Sequence, residues 1–184
     1  MIRLRPFKRG DGEAIIRWLS DEKIFMLWGG ERFGDFPISA DIMNDKYFDD
    51  NGDCGEPDNF FPVTAFDDDG VQGHFIMRYT SGDNKRLRFG WVVVNNEIRG
   101  RGYGREMLTL GLRYAFEIYG AESVTIGVFE NNLPAYRCYK AVGFRENADA
   151  PEVYEEIFGQ RVKIVELIIT KDEYEKEMKI WNLS

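Results

Sequence analysis

The chain is poor in the residues that most often build metal sites and covalent frameworks. Among 184 residues there are two cysteines, Cys54 and Cys138, and one histidine, His74. Two cysteines argue against a disulfide framework. A lone histidine leaves a histidine-based metal site or a Cys–His nucleophile without its ligands, so no metal is expected. No apolar run approaches the ~20 residues of a membrane helix. The start, Met1-Ile2-Arg3-Leu4-Arg5, lacks the apolar core of a secretory signal. A cytoplasmic protein without a membrane partner is therefore expected. Basic residues are also in deficit, 24 against 32 acidic ones for a net charge of -8. Such a chain is not built to coat a phosphate backbone, and no direct nucleic-acid partner is expected.

With 43% apolar and 30% charged residues, the composition is that of a globular protein. The length fits one domain spanning 1–184. The negative charge is concentrated: between positions 35 and 58 stand Asp35, Asp41, Asp45, Asp49, Asp50, Asp53, Glu56 and Asp58, against Lys46 alone.

Along the chain, Ile2-Arg3-Leu4-Arg5 alternates like a half-buried strand. Asp11 is placed to cap a helix with Ala14, Ile15, Trp18 and Leu19 on one face. Residues 39–49 form a short helix, and strands over 61–66 and 71–79 are joined by the turn Asp67-Asp68-Asp69-Gly70. A strand over 87–94 ends in Trp91-Val92-Val93-Val94, apolar throughout, which predicts a central strand covered on both faces. A helix over 103–119, a strand over 123–128, a helix over 133–141 and closing strands near 144–147 and 162–169 complete a mixed α/β domain. The charged tail after Thr170 frays or packs as a short helix.

The informative stretch is Arg99-Gly100-Arg101-Gly102-Tyr103-Gly104, between the buried strand and an amphipathic helix. Alternate glycines let the backbone approach a ligand, and free N–H groups at a helix start attract phosphate. Arg99, Arg101 and Arg105 add positive charge. A Walker A loop would need Gly-Lys-Ser/Thr, which is absent. A dinucleotide fingerprint from Gly100 would need a glycine at Arg105. A plain glycine-rich turn remains open on this motif alone.

A second motif follows: Glu130-Asn131-Asn132-Leu133-Pro134-Ala135-Tyr136-Arg137-Cys138-Tyr139, closing on Gly143-Phe144. Asn132 can cap this helix and Pro134 suits its first turn. Ala135 and Tyr139, four apart, share a face along which a ligand could lie. Taken in order, Arg99-x-x-Gly102-x-Gly104 and Asn132-x-x-Ala135-x-x-x-Tyr139-x-x-x-Gly143-Phe144 resemble the GNAT superfamily of N-acetyltransferases. The wording is closest to the branch with ribosomal-protein and polyamine acetyltransferases.

The resemblance implies one α/β (α+β) domain. Its central sheet would be mixed and mostly antiparallel, with about six to seven strands splayed at the centre. The acetyl-CoA-binding core would lie at about 87–144, with acceptor-side helices and an acidic loop at about 10–58. It implies acetyl-CoA as co-substrate. Main-chain groups of Val92 and Val94 would meet the acetyl-pantetheine, and residues Arg99, Gly100, Arg101, Gly102, Tyr103, Gly104 and Arg105 the pyrophosphate. Asn132 would bond the pantetheine arm, and Ala135 would leave it room. Tyr139 would act as the general acid. Many relatives carry a glutamate just before the aromatic–glycine pair of the central strand; here Arg88 precedes Phe89-Gly90. Glu130 is the candidate base in its stead, with His74 and relay through water as alternatives. His74 and Glu97 read better as structural, and Cys138 as a small packed side chain. The acceptor is expected to be a small-molecule or peptide amine, cationic if the acidic segment borders its entrance. A homodimer is compatible with the exposed aromatics. Rival readings are a non-catalytic acyl-CoA sensor of the same fold and a nucleotide-binding enzyme.

Overall fold

A computed structural model describes residues 1–80 and 82–181, the last five by their backbone alone. Its strands are β1 (Arg3–Pro6), β2 (Phe61–Asp67), β3 (Gly70–Thr80), β4 (Asp83–Val94), β5 (Ser123–Phe129), β6 (Arg145–Glu146), β7 (Val153–Ile157) and β8 (Gln160–Thr170). The helices are α1 (Gly12–Trp18), α2 (Glu22–Trp28), α3 (Ala40–Phe48), α4 (Tyr103–Arg113), α5 (Leu133–Val142) and α6 (Lys171–Trp181). Both α2 and β7 are additions to the elements expected from sequence. The predicted helix 103–119 ends as a π-type turn over Tyr114–Ile118.

All the strands join one eight-stranded sheet in the order β1-β2-β3-β4-β5-β8-β6, with β7 also pairing β8. Only the β4–β5 pair is parallel. Each face is covered. On one side α4, α5 and α6 bury Phe75, Phe89, Leu108, Leu112, Ile126, Phe144 and Tyr174. On the other, α1 to α3 bury Ile15, Trp18, Phe25, Trp28, Phe33, Met43, Tyr47, Ile76 and Val93. This is the two-sided burial that an unbroken apolar run in β4 requires.

Asp11 is at the start of α1, but its carboxylate does not cap that helix. It takes a bidentate pair of bonds from Arg5 at 2.7 and 2.8 Å, with others from Thr64 and the Lys8 N–H. Burial opposes ionisation, yet these donors outweigh it and hold Asp11 below the usual carboxylate range. The network ties β1 and β2 to the first helix.

Candidate active site

The site begins as an interruption in the sheet. β4 and β5 are in register from Arg86/Ser123 to Phe89/Ile126 and pair no further. Beyond that point β4 pairs only β3, and β5 only β8. The cause lies in β4. His74 faces Val93 and Ile76 faces Gly90, so Trp91 and Val92 together oppose Phe75. Such a bulge bends its strand. Trp91 takes φ +46, a conformation that costs a non-glycine residue about 1–3 kcal/mol. Packing holds it there: its indole lies parallel to Tyr47 at 5.7 Å and against Phe33 at 4.8 Å.

Backbone alternation then decides which groups face the gap. The Asn95 N–H donates to the Gln72 carbonyl at 2.9 Å, which makes the His74/Val93 pair hydrogen-bonded too and Gly73/Val94 a non-bonded pair. The polar groups of Val92 and Val94 are thus turned away from β3, toward the side that β5 has vacated. The carboxyl ends of β4 and β5 both lead into helix starts, the arrangement in which open α/β sheets hold ligands.

After β4 the chain enters the glycine loop. Gly100 and Gly102 have φ +80 and +86, and a β-carbon on either would meet nothing within 4 Å. Their conformation, rather than crowding, demands glycine. Gly102 starts α4 without any side-chain cap, so the first-turn amides stay directed outward. Arg99, Arg101 and Arg105 are exposed around them. The Tyr103 hydroxyl is tied to Asp67 at 2.9 Å, fixing the loop to the β2–β3 hairpin. Gly104 is a close-approach position: a β-carbon there would lie 3.3 Å from Cys138 Sγ and 3.5 Å from Val94 Cγ2. This contact brings the loop helix, β4 and α5 together.

Asn132 caps α5 by accepting the Ala135 N–H at 3.4 Å. One turn on, Tyr139 is buried, and its hydroxyl has no hydrogen-bond partner among the described residues. Burial raises its pKa well above the phenolic range, so the proton is retained at neutral pH. Burial likewise raises the Cys138 thiol, partly offset by Arg105, which suits packing rather than nucleophilic chemistry. His74 is fully buried, bonded through Nε2 to the Tyr47 hydroxyl at 2.8 Å. Desolvation lowers its pKa to about 3.

The opposite mouth of the gap is a cleft of about 150 Å³. Its walls include Gly90 and Trp91 of β4, Gly127 and Phe129 of β5, Trp28 at the end of α2, and Gly29 and Glu31 just after it. Glu31 is the functional candidate that sequence reasoning passed over. Its Oε2 is buried without a donor, and burial, reinforced by Glu155, raises its pKa. Glu130 lies elsewhere: exposed at the end of β5, it accepts the Lys163 N–H at 3.0 Å and does not line the cleft. Of the acidic segment 35–58, only Gly52 lines it; the aspartates are exposed on and around α3. Arg88 pairs with Glu166 of β8 across Gly127, where a β-carbon would sit 2.8 Å from the guanidinium. Among the described residues, no group of three acidic, histidine or cysteine side chains could hold a metal, and no helix could cross a membrane.

A mixed sheet parted between its one parallel strand pair, a glycine loop at one helix start and a buried tyrosine on the next define an open-sheet class of α/β protein. Residues 2–145 match the family model described as an acetyltransferase (GNAT) domain, and the chain belongs to that family. A spermine/spermidine N(1)-acetyltransferase of Bacillus subtilis (strain 168) is 30% identical over 88 residues, covering 46% of this chain and 54% of that protein. A mycothiol acetyltransferase of Nocardiopsis dassonvillei is 29% identical over 149 residues, 78% of this chain and 42% of that protein. The chain thus spans about half the length of the curated relatives it matches. Among solved structures, a spermidine N-acetyltransferase of Vibrio cholerae in complex with CoA and spermine shares the fold. It has a TM-score of 0.76 at 21% identity and covers 95% of this chain and 98% of that one. An aminoglycoside acetyltransferase in complex with coenzyme A has a TM-score of 0.72 at 16% identity, covering 96% and 98%.

Proposed function

We propose that the protein transfers an acetyl group from acetyl-CoA to a primary amine by direct attack. The observation that carries this reading is the gap beyond Phe89/Ile126, with a phosphate-suited loop on one side and a carboxylate-bearing cleft on the other. The residues fit the donor. Val92 and Val94 offer an unpaired strand edge to the pantetheine arm. The amides at the start of α4, with Arg99, Arg101 and Arg105, suit the pyrophosphate. Asn132 and Ala135 border the arm along α5. Acetyl-CoA supplies an activated acyl group on a thiol leaving group.

Three tasks remain for the chain. The acceptor arrives as an ammonium and must lose a proton. We assign that end to Glu31, whose Oε2 is buried without a donor at the cleft, in preference to Glu130, which bonds the backbone of β8. A base with a raised pKa is better matched to the transfer. As nitrogen attacks the thioester carbon, backbone N–H groups at the β4 edge stabilise the developing oxyanion. The carbon–sulfur bond then breaks, and Tyr139 gives its retained proton to the thiolate. Of the two protons the nitrogen sheds between ammonium and amide, one leaves through Glu31 to solvent and the other passes through water to restore the Tyr139 hydroxyl.

Thiol release from acetyl-CoA, measured with spermidine, an aminoglycoside, free amino acids and a peptide with a free N-terminus, tests the proposal. Turnover with at least one of them is expected. Tight CoA binding without turnover on any amine would instead make the chain an acyl-CoA sensor.

A further inference from the structure

The acceptor cleft is lined by both signs of charge. Glu31 and Glu155 stand with Arg32, Arg78 and Arg88. Two of the arginines are answered within the chain. Arg88 pairs with Glu166, and Arg32 approaches Glu31 at 3.7 Å. Arg78 is not answered. It projects from β3 directly opposite Arg88 of β4, an arrangement of like charges that disfavours the sheet. It is half-buried and has no carboxylate within ion-pair distance among the described residues. Among the described residues its one polar contact is 3.8 Å to Cys54 Sγ, a weak acceptor. A guanidinium with five donors on a cleft wall, unpaired, is a ready anion site.

Two further orphaned groups line the same cleft. Glu31 Oε2 is buried without a donor, and Trp28 Nε1 is buried without an acceptor, in a side chain only 8% exposed. Buried polar atoms left unmatched call for a partner outside the chain. The cleft therefore holds one unmatched acceptor and two unmatched donors, one of them charged. A polycation would satisfy Glu31 and be repelled by Arg78. A molecule with one ammonium and one carboxylate would satisfy both. A cleft of about 150 Å³ is well above what a single water requires and suits a small organic group.

Building on the acetyltransferase reading, we propose that the acceptor is a small amino acid, its ammonium toward Glu31 and its carboxylate on Arg78. Matched pairs differing only in the carboxylate test this: alanine against ethylamine, and lysine against cadaverine, with acetyl-CoA and the full chain. The amino acid of a pair should have the higher kcat/KM by about 10- to 100-fold, the range for hydrogen bonds to a charged group. Arg78→Gln should collapse that ratio chiefly through KM, and Arg78→Lys, which keeps the charge without the fork, should restore part of it. Thermal unfolding of each variant reports whether it is folded. Preference for ethylamine, cadaverine or spermidine, or an equal loss on both members of each pair in a folded Arg78→Gln, overturns the inference and leaves the acetyltransferase intact. Absence of turnover on every amine would refute the acetyltransferase itself.

Discussion

His74 makes a quantitative prediction, because it is the only histidine in the chain and is fully buried. Desolvation lowers its pKa to about 3 in the fold, while an unfolded chain returns it to the ordinary histidine value of about 6.5. Between those values the unfolded state binds the extra proton, so stability falls as pH falls through that window. Each unit of pH below 6.5 removes about 1.4 kcal/mol, which amounts to ~2 kcal/mol between pH 7 and pH 5. That is a large part of a typical domain's margin of about 5–15 kcal/mol. His74→Gln keeps a polar partner for the Tyr47 hydroxyl but cannot titrate. Urea unfolding of both proteins at pH 7 and pH 5 isolates the effect, since every other group is shared. The parent should lose ~2 kcal/mol more than the variant over this interval. Equal losses would refute the reasoning and mean that His74 is hydrated or paired in a way the fold does not suggest.

Other perturbations probe the site and its support. Tyr139→Phe should lower kcat by about 10²- to 10⁴-fold with CoA affinity nearly unchanged, as steady-state kinetics and calorimetry would show. Gly102→Val places a β-branched residue at φ +86, with strain of about 1–3 kcal/mol, and should weaken CoA binding more than it changes the melting temperature. Asp11→Ala leaves the Arg5 guanidinium, 23% exposed, without its bidentate partner and should cost about 3 kcal/mol in denaturant unfolding. Because Asp11 is held below its ordinary pKa, its share of the parent's stability is present at neutral pH. It is lost as pH falls below the ordinary carboxylate range toward the lowered value.

What could be read from sequence was whatever has a local cause. The glycine loop, the Asn132 cap and the left-handed Gly143 are each written in a few adjacent residues, and all three occur where expected. The burial of β4 was legible because four apolar residues in a row leave no polar face. β7 was missed because Val153-Tyr154-Glu155-Glu156 is largely exposed at the side of the sheet and mixes apolar with acidic residues. For α2 the signal was present, an Asp21 cap before Ile24, Phe25 and Trp28, but seven residues give too little periodicity to stand out. Glu31 had no local signal at all. Its significance depends on Trp91, Glu155 and Gly127 arriving from distant parts of the chain, and on a bulge that only strand register reveals. The acidic segment misled for the opposite reason. Its charge is conspicuous in sequence, yet α3 leaves its aspartates exposed to solvent while Gly52 alone reaches the cleft.

If the parted strands and the glycine loop together form an acyl-CoA site, titration of CoA into the parent protein, Gly102→Val and Tyr139→Phe by calorimetry should reveal it. Saturable one-to-one binding is expected, weakened about tenfold or more by the loop substitution and little changed by the tyrosine substitution. Absence of CoA binding by the parent, or undiminished binding by Gly102→Val, would contradict that assignment.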